Sequence, residues 1–205
     1  LATRGCPYQC TFCSNPTMWT TRYVMRPVED VVDEIEDYVK RYQINSVDFY
    51  DLTAIVKREW ILQFIAELEK RELNVTWQLP SGTRSECLDD EVIGGLARTG
   101  CEFLVYAPES GSKRTLEMIK KRVNLENLER SIKIAVRHRI VTKVNFIIGF
   151  PAETRRDIIQ TLLFVFKLAF LKVDDCNITA FSPYPGSELF RELQDEGAIG
   201  QIDDE

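Results

Sequence analysis

Three cysteines, Cys6, Cys10 and Cys13, fall within one short segment, Arg4-Gly5-Cys6-Pro7-Tyr8-Gln9-Cys10-Thr11-Phe12-Cys13. Gly5 and Pro7 mark this segment as a loop. Cysteine thiolates are the usual ligands of iron–sulfur clusters. Three thiolates on a four-iron cluster leave one iron open. An open iron can bind a chelating molecule and pass it an electron. Structural zinc is the competing chemistry, and it takes four ligands. The single histidine, His138, lies far along the chain between Arg137 and Arg139 and reads as a surface residue. A fourth ligand for zinc, or for a closed electron-carrying cluster, would come from Cys87, Cys101 or Cys176. Spacing alone leaves those alternatives open. A disulfide scaffold spreads its cysteines through a small secreted chain. Here three crowd one end of a 205-residue chain whose 44% apolar content suffices for a core. A reducing cytosol fits that pattern better.

The elements that must position this loop alternate between two hydrophobic periods. Val28, Val31, Val32, Ile35, Tyr38, Val39 and Tyr42 repeat at helical spacing behind Pro27, which suits a first turn. Residues 46–50 then read as a strand, 60–68 as a helix, and 75–79 as a strand closed by Pro80 and Gly82. Val92, Ile93 and Leu96 mark a short helix, and Phe103 to Tyr106 a buried strand. Residues 112–139 read as two helical pieces, with Asn124 capping the second. A strand over 144–148, an apolar helix over 155–171, a strand over 176–181 and a helix over 187–196 complete the pattern. Counting a stub strand before Cys6, six strand–helix units follow one another. Strict alternation predicts an α/β fold, a parallel sheet with helices outside, in one domain spanning 1–205. In such folds chemistry gathers at the C-terminal ends of the strands.

The unusual residues fall at those ends. Asp51 follows the second strand, and Ser81-Gly82-Thr83-Arg84 the third. Arg84 suits a bidentate carboxylate contact, with a surface arginine as the plain alternative. Ala107-Pro108-Glu109-Ser110-Gly111-Ser112 follows the fourth strand, with Ser112 also placed to cap the next helix. Asn145-Phe146-Ile147-Ile148-Gly149-Phe150-Pro151-Ala152-Glu153 ends the fifth, where Glu153 suits a helix start. Ser182-Pro183-Tyr184-Pro185-Gly186-Ser187 closes the sixth.

Cys6-x-x-x-Cys10-x-Phe12-Cys13, together with these strand-end motifs, resembles the radical S-adenosylmethionine (SAM) superfamily over essentially the whole chain. The resemblance implies a partial (β/α)6 TIM-like barrel and a [4Fe–4S] cluster on Cys6, Cys10 and Cys13. It implies SAM on the fourth iron, cleaved after one-electron reduction to methionine and a 5′-deoxyadenosyl radical. It places Glu109 on the ribose hydroxyls with help from Ser110. Ile147 would pack on adenine, with Gly149 admitting close backbone approach, and Phe12, the aromatic before the last cysteine, joins the cofactor-binding set. Many members carry Gly-Gly-Glu after the second strand. This chain has Phe49-Tyr50-Asp51-Leu52-Thr53, so Asp51 is the candidate for the cofactor amine, and Ser81 and Arg84 for its carboxylate end. Asn145 stands where many members have Gly.

The runs Cys13-Ser14-Asn15-Pro16-Thr17-Met18-Trp19 and Phe49 to Thr53 resemble the cobalamin-binding branch, nearest to the anaerobic magnesium-protoporphyrin monomethyl ester cyclases. That branch carries a cobalamin-binding domain ahead of the barrel, so the chain, which opens on Leu1, reads as part of a longer protein. Methyl transfer and oxidative ring formation both occur within the branch, so methyltransferase and oxidoreductase chemistry stay open. The expected partners are a small-molecule substrate and an external one-electron reductant such as flavodoxin or ferredoxin. A net charge of −6 without a long basic run argues against nucleic acid. The most apolar stretch, Leu162 to Leu171, is too short to span a bilayer and contains Lys167.

Overall fold

The computed structural model describes residues 1–200, so the last five residues of the expected 1–205 domain lie outside it. The elements are β1 (Thr3–Arg4), α1 (Asn15–Met18), β2 (Val24–Met25), α2 (Val28–Tyr42), β3 (Ser46–Asp48) and α3 (Arg58–Arg71). There follow β4 (Thr76–Thr83), α4 (Asp90–Arg98), β5 (Cys101–Glu109), α5 (Lys113–Met118) and α6 (Leu125–Arg137). β6 (Val141–Ile148), α7 (Arg155–Phe170), β7 (Asp175–Ala180) and α8 (Glu188–Asp195) complete the described residues.

Local chemistry explains the boundaries. α2 starts behind Pro27 with Glu29 and Asp30 in its first turn and ends with Lys40 and Arg41 in its last. Each set has the sign that the helix dipole favours. Its buried face is Val28, Val31, Val32 and Ile35. The expected caps are present: the Asn124 side chain accepts from the Glu126 and Asn127 amides, and that of Ser112 from the Thr115 amide. α7 begins with a reciprocal capping box between Thr154 and Asp157.

β3 to β7 form one sheet in chain order, and every adjacent pair is parallel. Each crossover advances by one strand, as in a barrel wall, and the wall stays open between β3 and β7. One face carries Trp77, Leu79, Leu104, Tyr106, Val144 and Phe146 into the main core under the helices. Phe49, Phe64 and Trp77 meet there edge to face, with centroids 5.5–5.8 Å apart. By strand alternation the other face presents Gln78, Val105, Asn145, Ile147 and Asn177 to the concave interior.

Two expectations are corrected. The stub before Cys6 is not a sixth parallel strand: β1 pairs antiparallel with β2, away from the main sheet. The Thr3 amide, which a ladder would need, is bonded instead by the Asp51 carboxylate. Pro80 and Gly82 do not close β4, which runs on to Thr83 through a register shift between Leu79 and Thr83. Bulged strands tolerate Pro and Gly in this way. Among the described residues, no helix is long and apolar enough to cross a membrane.

Candidate active site

The cysteine loop joins β1 to α1 and is strapped from both sides. The Thr11 amide donates to the Ile119 carbonyl (3.1 Å) behind α5, and the Thr11 carbonyl accepts from the Leu189 amide (2.9 Å) of α8. The Thr17 hydroxyl donates to the Gly186 carbonyl (2.7 Å) in the Pro-x-Pro-Gly turn. Opposite ends of the chain thus hold one loop.

All three thiols are partly exposed and unoxidised. The Thr53 hydroxyl donates to Cys6 Sγ (3.3 Å) and the Asn15 amide to Cys13 Sγ (3.4 Å). The Asn15 side-chain amide also holds the Cys6 carbonyl (3.3 Å). Burial pushes the Cys10 thiol up, and the Lys121 ammonium pulls it back, with Cys13, Arg84 and Cys6 also felt there. Three sulfurs on one loop, two of them accepting hydrogen bonds, make a donor set of the kind that holds metal as thiolates.

The remaining cysteines lie outside the loop. Cys101 and Cys176 stand at the N-terminal ends of β5 and β7, opposite the end from which Glu109 projects. Burial pushes the Cys101 thiol up to about 12. Cys87 donates to the Val56 carbonyl (3.2 Å). Among the described residues, no three of the His, Cys, Asp and Glu side chains converge as a single-ion site.

Glu109, the last residue of β5, has φ 71°. A non-glycine residue in that left-handed region persists only where its surroundings hold it. It is 8% exposed and paired with Lys121 (2.9 Å). The Lys121 ammonium lies 5.9 Å from the Phe12 ring centroid. Phe12 meets Phe150 at a tilt, with ring centroids 5.8 Å apart, and Phe150 meets Phe181 at 5.0 Å. With Ile147, Leu116 and Ile119 they make a second, smaller apolar cluster at this end of the sheet. Gly149 has φ 85°, and a Cβ there would meet nothing within 4 Å. Its amide is held by Glu153 (2.6 Å), so the backbone is fixed while its outer side stays open.

Ser110, Asp51, Arg84 and Ser81 sit differently. The Ser110 hydroxyl shares a hydrogen bond with Thr161 of α7 (2.9 Å) and accepts from the Ser112 amide, facing the helix layer. The Asp51 carboxylate is 1% exposed and accepts from the Thr3 amide and hydroxyl, leaving Oδ2 buried without a partner. Arg84 lies 3.9 Å over the Tyr8 ring, pairs with Glu86 and donates to the Arg122 carbonyl. Ser81 is exposed on β4. The structure therefore gathers Cys6, Cys10, Cys13, Phe12, Glu109, Ile147 and Gly149 at one end of the sheet. It ties Asp51 and Ser110 into the scaffold. Lys121, one of three cations in the Lys120-Lys121-Arg122 run, and Thr53, two residues after Asp51, carry no local signal that separates them from their neighbours.

The turn bearing Glu109 is braced by Asp157. Ser112 donates to its Oδ1 (2.7 Å), Thr154 to its Oδ2 (amide 2.9 Å, hydroxyl 2.5 Å), and Arg114 pairs with it (2.5 Å). The Arg114 guanidinium and the two hydroxyls hold this carboxyl well below the usual carboxylate range. A depressed native value stabilises the fold above the unfolded carboxyl's pKa of about 4 and is lost as pH falls below it. Asp157→Asn should be less stable than wild type at pH 7, with the gap shrinking towards pH 3 in urea titrations. A constant gap would remove the linkage.

Comparison with known proteins agrees with this arrangement. Residues 1–165 match the model of the Radical SAM superfamily. The chain is 31% identical over 194 residues to an anaerobic magnesium-protoporphyrin IX monomethyl ester cyclase of Rubrivivax gelatinosus, covering 94% of this chain and 34% of the relative. It is 30% identical over 203 residues to a cytidylyl-2-hydroxyethylphosphonate methyltransferase of Streptomyces wedmorensis, covering 96% and 37%. It thus spans about a third of the length of these curated relatives. Its fold matches that of the radical SAM methyltransferase TsrM from Kitasatospora setae, solved with cobalamin and a [4Fe–4S] cluster, at TM-score 0.79 and 19% identity, covering 96% and 36%. A family model that covers four-fifths of the chain and a cysteine loop built at the mouth of a parallel α/β wall lead to one conclusion: this chain belongs to the radical SAM superfamily.

Proposed function

We propose that the chain is the SAM-cleaving core of a cobalamin-linked radical enzyme that acts on a small molecule by C-methylation or oxidative cyclisation. The carrying observation is the convergence of three thiols, Glu109 and the Ile147–Gly149 edge at one end of the sheet. Cys6, Cys10 and Cys13 would hold the [4Fe–4S] cluster, which supplies the single electron that splits SAM into methionine and a 5′-deoxyadenosyl radical. Thr53 and Asn15 would then stabilise the charge on Cys6 and Cys13 by hydrogen bonds. Phe12, Ile147 and the open face of Gly149 offer an apolar slot for a flat base. Glu109, a carboxylate with one oxygen on Lys121, has a second oxygen to accept from ribose hydroxyls. The buried, unpartnered Oδ2 of Asp51 supports its reading as an acceptor, although its other oxygen serves Thr3. The likeness to a cyclase and a methyltransferase supports the branch.

An electron carrier without SAM cleavage needs a fourth thiolate. The placement of Cys87, Cys101 and Cys176 speaks against one. Structural zinc needs four ligands, and the loop carries three thiols, with Cys101 and Cys176 at the far strand ends.

The test is anaerobic reconstitution of the full polypeptide with iron and sulfide, reduction by dithionite with SAM, and assay for 5′-deoxyadenosine. Its appearance supports the reading; an intact cluster with no cleavage in the full polypeptide sinks it. Glu109→Ala should keep its iron while SAM affinity falls roughly tenfold to a hundredfold, the loss of one hydrogen bond to a charged group. Equilibrium dialysis with labelled SAM reads the change. Lost iron with unchanged affinity would make Glu109 structural instead.

A further inference from the structure

The segment between β3 and α3, residues 49–57, has no regular structure, yet Asp51, Thr53, Ala54 and Ile55 within it are buried. Buried carbonyls in such a segment need donors from elsewhere. Tyr23, beside β2, supplies one. Its hydroxyl lies 3.0 Å from the Thr53 carbonyl oxygen and 3.3 Å from that of Ala54. Burial pushes this half-buried hydroxyl up to about 12, so it stays a donor. The Thr3 hydroxyl also lies near the Thr53 carbonyl, but at 3.5 Å, and it is committed to Asp51 at 2.7 Å. The side chain of the same Thr53 reaches Cys6 Sγ at 3.3 Å. Among the described residues it is the one side chain that donates to a cysteine sulfur of the loop, since the donor to Cys13 is the Asn15 backbone amide. The Thr53 hydroxyl also lies 2.8 Å from the Leu52 carbonyl, so its single proton is shared between two acceptors. A charged thiolate is the stronger of the two.

We propose that Tyr23 is a positioning residue for Cys6: by holding the Thr53 carbonyl it aims the Thr53 hydroxyl at the Cys6 sulfur, and so sets the reduction potential of the group that this sulfur ligates. The inference rests on the proposed function, which puts the cluster on Cys6, Cys10 and Cys13. Threonine is β-branched, with a restricted χ1, so the direction of its hydroxyl follows its backbone. At Thr53 that backbone is held by the Tyr23 hydroxyl at 3.0 Å, the shorter of its two donors. A hydrogen bond to a ligating sulfur offsets negative charge there. It therefore favours the reduced, more negative state and raises the potential. Tyr23 itself makes no hydrogen bond to a cysteine among the described residues, so its influence passes through Thr53. Neither residue gains or loses a proton or an electron in this role.

The test uses the full polypeptide, reconstituted anaerobically with iron and sulfide, and reads its midpoint potential by spectroelectrochemical titration alongside its iron content. Thr53→Val should keep its iron and make reduction about tenfold less favourable, a shift of about 59 mV to lower potential for one electron. Thr53→Ser keeps the hydroxyl and should recover most of that shift. Tyr23→Phe should keep its iron and shift the potential the same way by a smaller amount. The double variant Tyr23→Phe, Thr53→Val should lie no lower than Thr53→Val alone, because a residue that acts through another adds nothing once that one is gone. An unchanged potential in Thr53→Val overturns the proposal. So does a Tyr23→Phe protein at the wild-type potential, or one that loses its iron, since the tyrosine would then hold the fold and not aim the hydroxyl. Should Thr53→Val bind no iron, Tyr23→Phe against wild type decides alone. A wild type that assembles no iron–sulfur cluster sinks the parent reading, whereas a wild-type cluster whose potential ignores these substitutions sinks this inference alone.

Discussion

Cys10→Ala, reconstituted anaerobically, should bind no intact cluster and make no detectable 5′-deoxyadenosine, while its far-ultraviolet circular dichroism matches wild type. The argument has two halves. The first is chemical. Cys10 is the middle of three thiols, and its sulfur senses Lys121, Cys13, Arg84 and Cys6 together. The other cysteines are engaged elsewhere in the fold: Cys101 and Cys176 lie at the far strand ends, and Cys87 donates to the Val56 carbonyl. The second half is structural. The loop is held by backbone bonds from Thr11 to Ile119 and Leu189, and the Cys13 amide bonds the Cys10 carbonyl, which alanine keeps. The main core is built from the sheet and from α2, α3, α4, α6 and α7, and Cys10 is not part of it. The checks are iron content, the visible charge-transfer absorbance and the cleavage assay. A Cys10→Ala protein with full iron and turnover would refute the ligand assignment.

Periodicity made most of the wall legible. Helices such as α2 and α6 bury one face and expose the other, and strands such as β6 alternate, so the two periods separate cleanly. Asn124, Ser112 and Ser187 cap helices where their residue types suggest. Tertiary contacts decided what periodicity does not encode. Thr3 looks like any strand residue until Asp51, 48 positions away, takes its amide. Pro80 and Gly82 read as terminators because the partner strand whose register shift accommodates them is invisible locally. The cysteines stood out by type and spacing. Glu109 stood out by its motif, but its left-handed backbone and its bond to Lys121 arise only when α5 folds back over β5. Asp51 and Arg84 share a different difficulty. A charged residue at a strand end is equally suited to ligand and to scaffold, and only its committed hydrogen bonds tell how much of it is already engaged.

The residue beside the first cysteine should matter as much as the cysteine itself. Gly5 has φ 79°, and a Cβ built on it would sit 2.0 Å from the Arg22 carbonyl oxygen. That oxygen is backbone, next to β2, so no side-chain rotation relieves the clash. Two costs combine in Gly5→Ala. A non-glycine residue held in the left-handed region costs about 1–3 kcal/mol. Overpacking against a fixed neighbour costs about 1–3 kcal/mol more. Their sum is a sizeable part of a domain stability of about 5–15 kcal/mol. The loop has a cheaper way out, which is to move. Gly5 lies between β1, pinned by Asp51, and Cys6, held by Thr53 and Asn15 through much weaker contacts. Displacement should therefore fall on Cys6. Gly5→Ala is expected to lower both the melting temperature and the iron bound per chain. Gly197→Ala is the matching control. It has φ 69° with nothing within 4 Å of the new Cβ, so it bears the backbone cost alone. It should lower stability by that backbone cost of about 1–3 kcal/mol and leave iron content untouched. If Gly5→Ala behaved like that control, the close approach of Arg22 would not be what sets the position of Cys6.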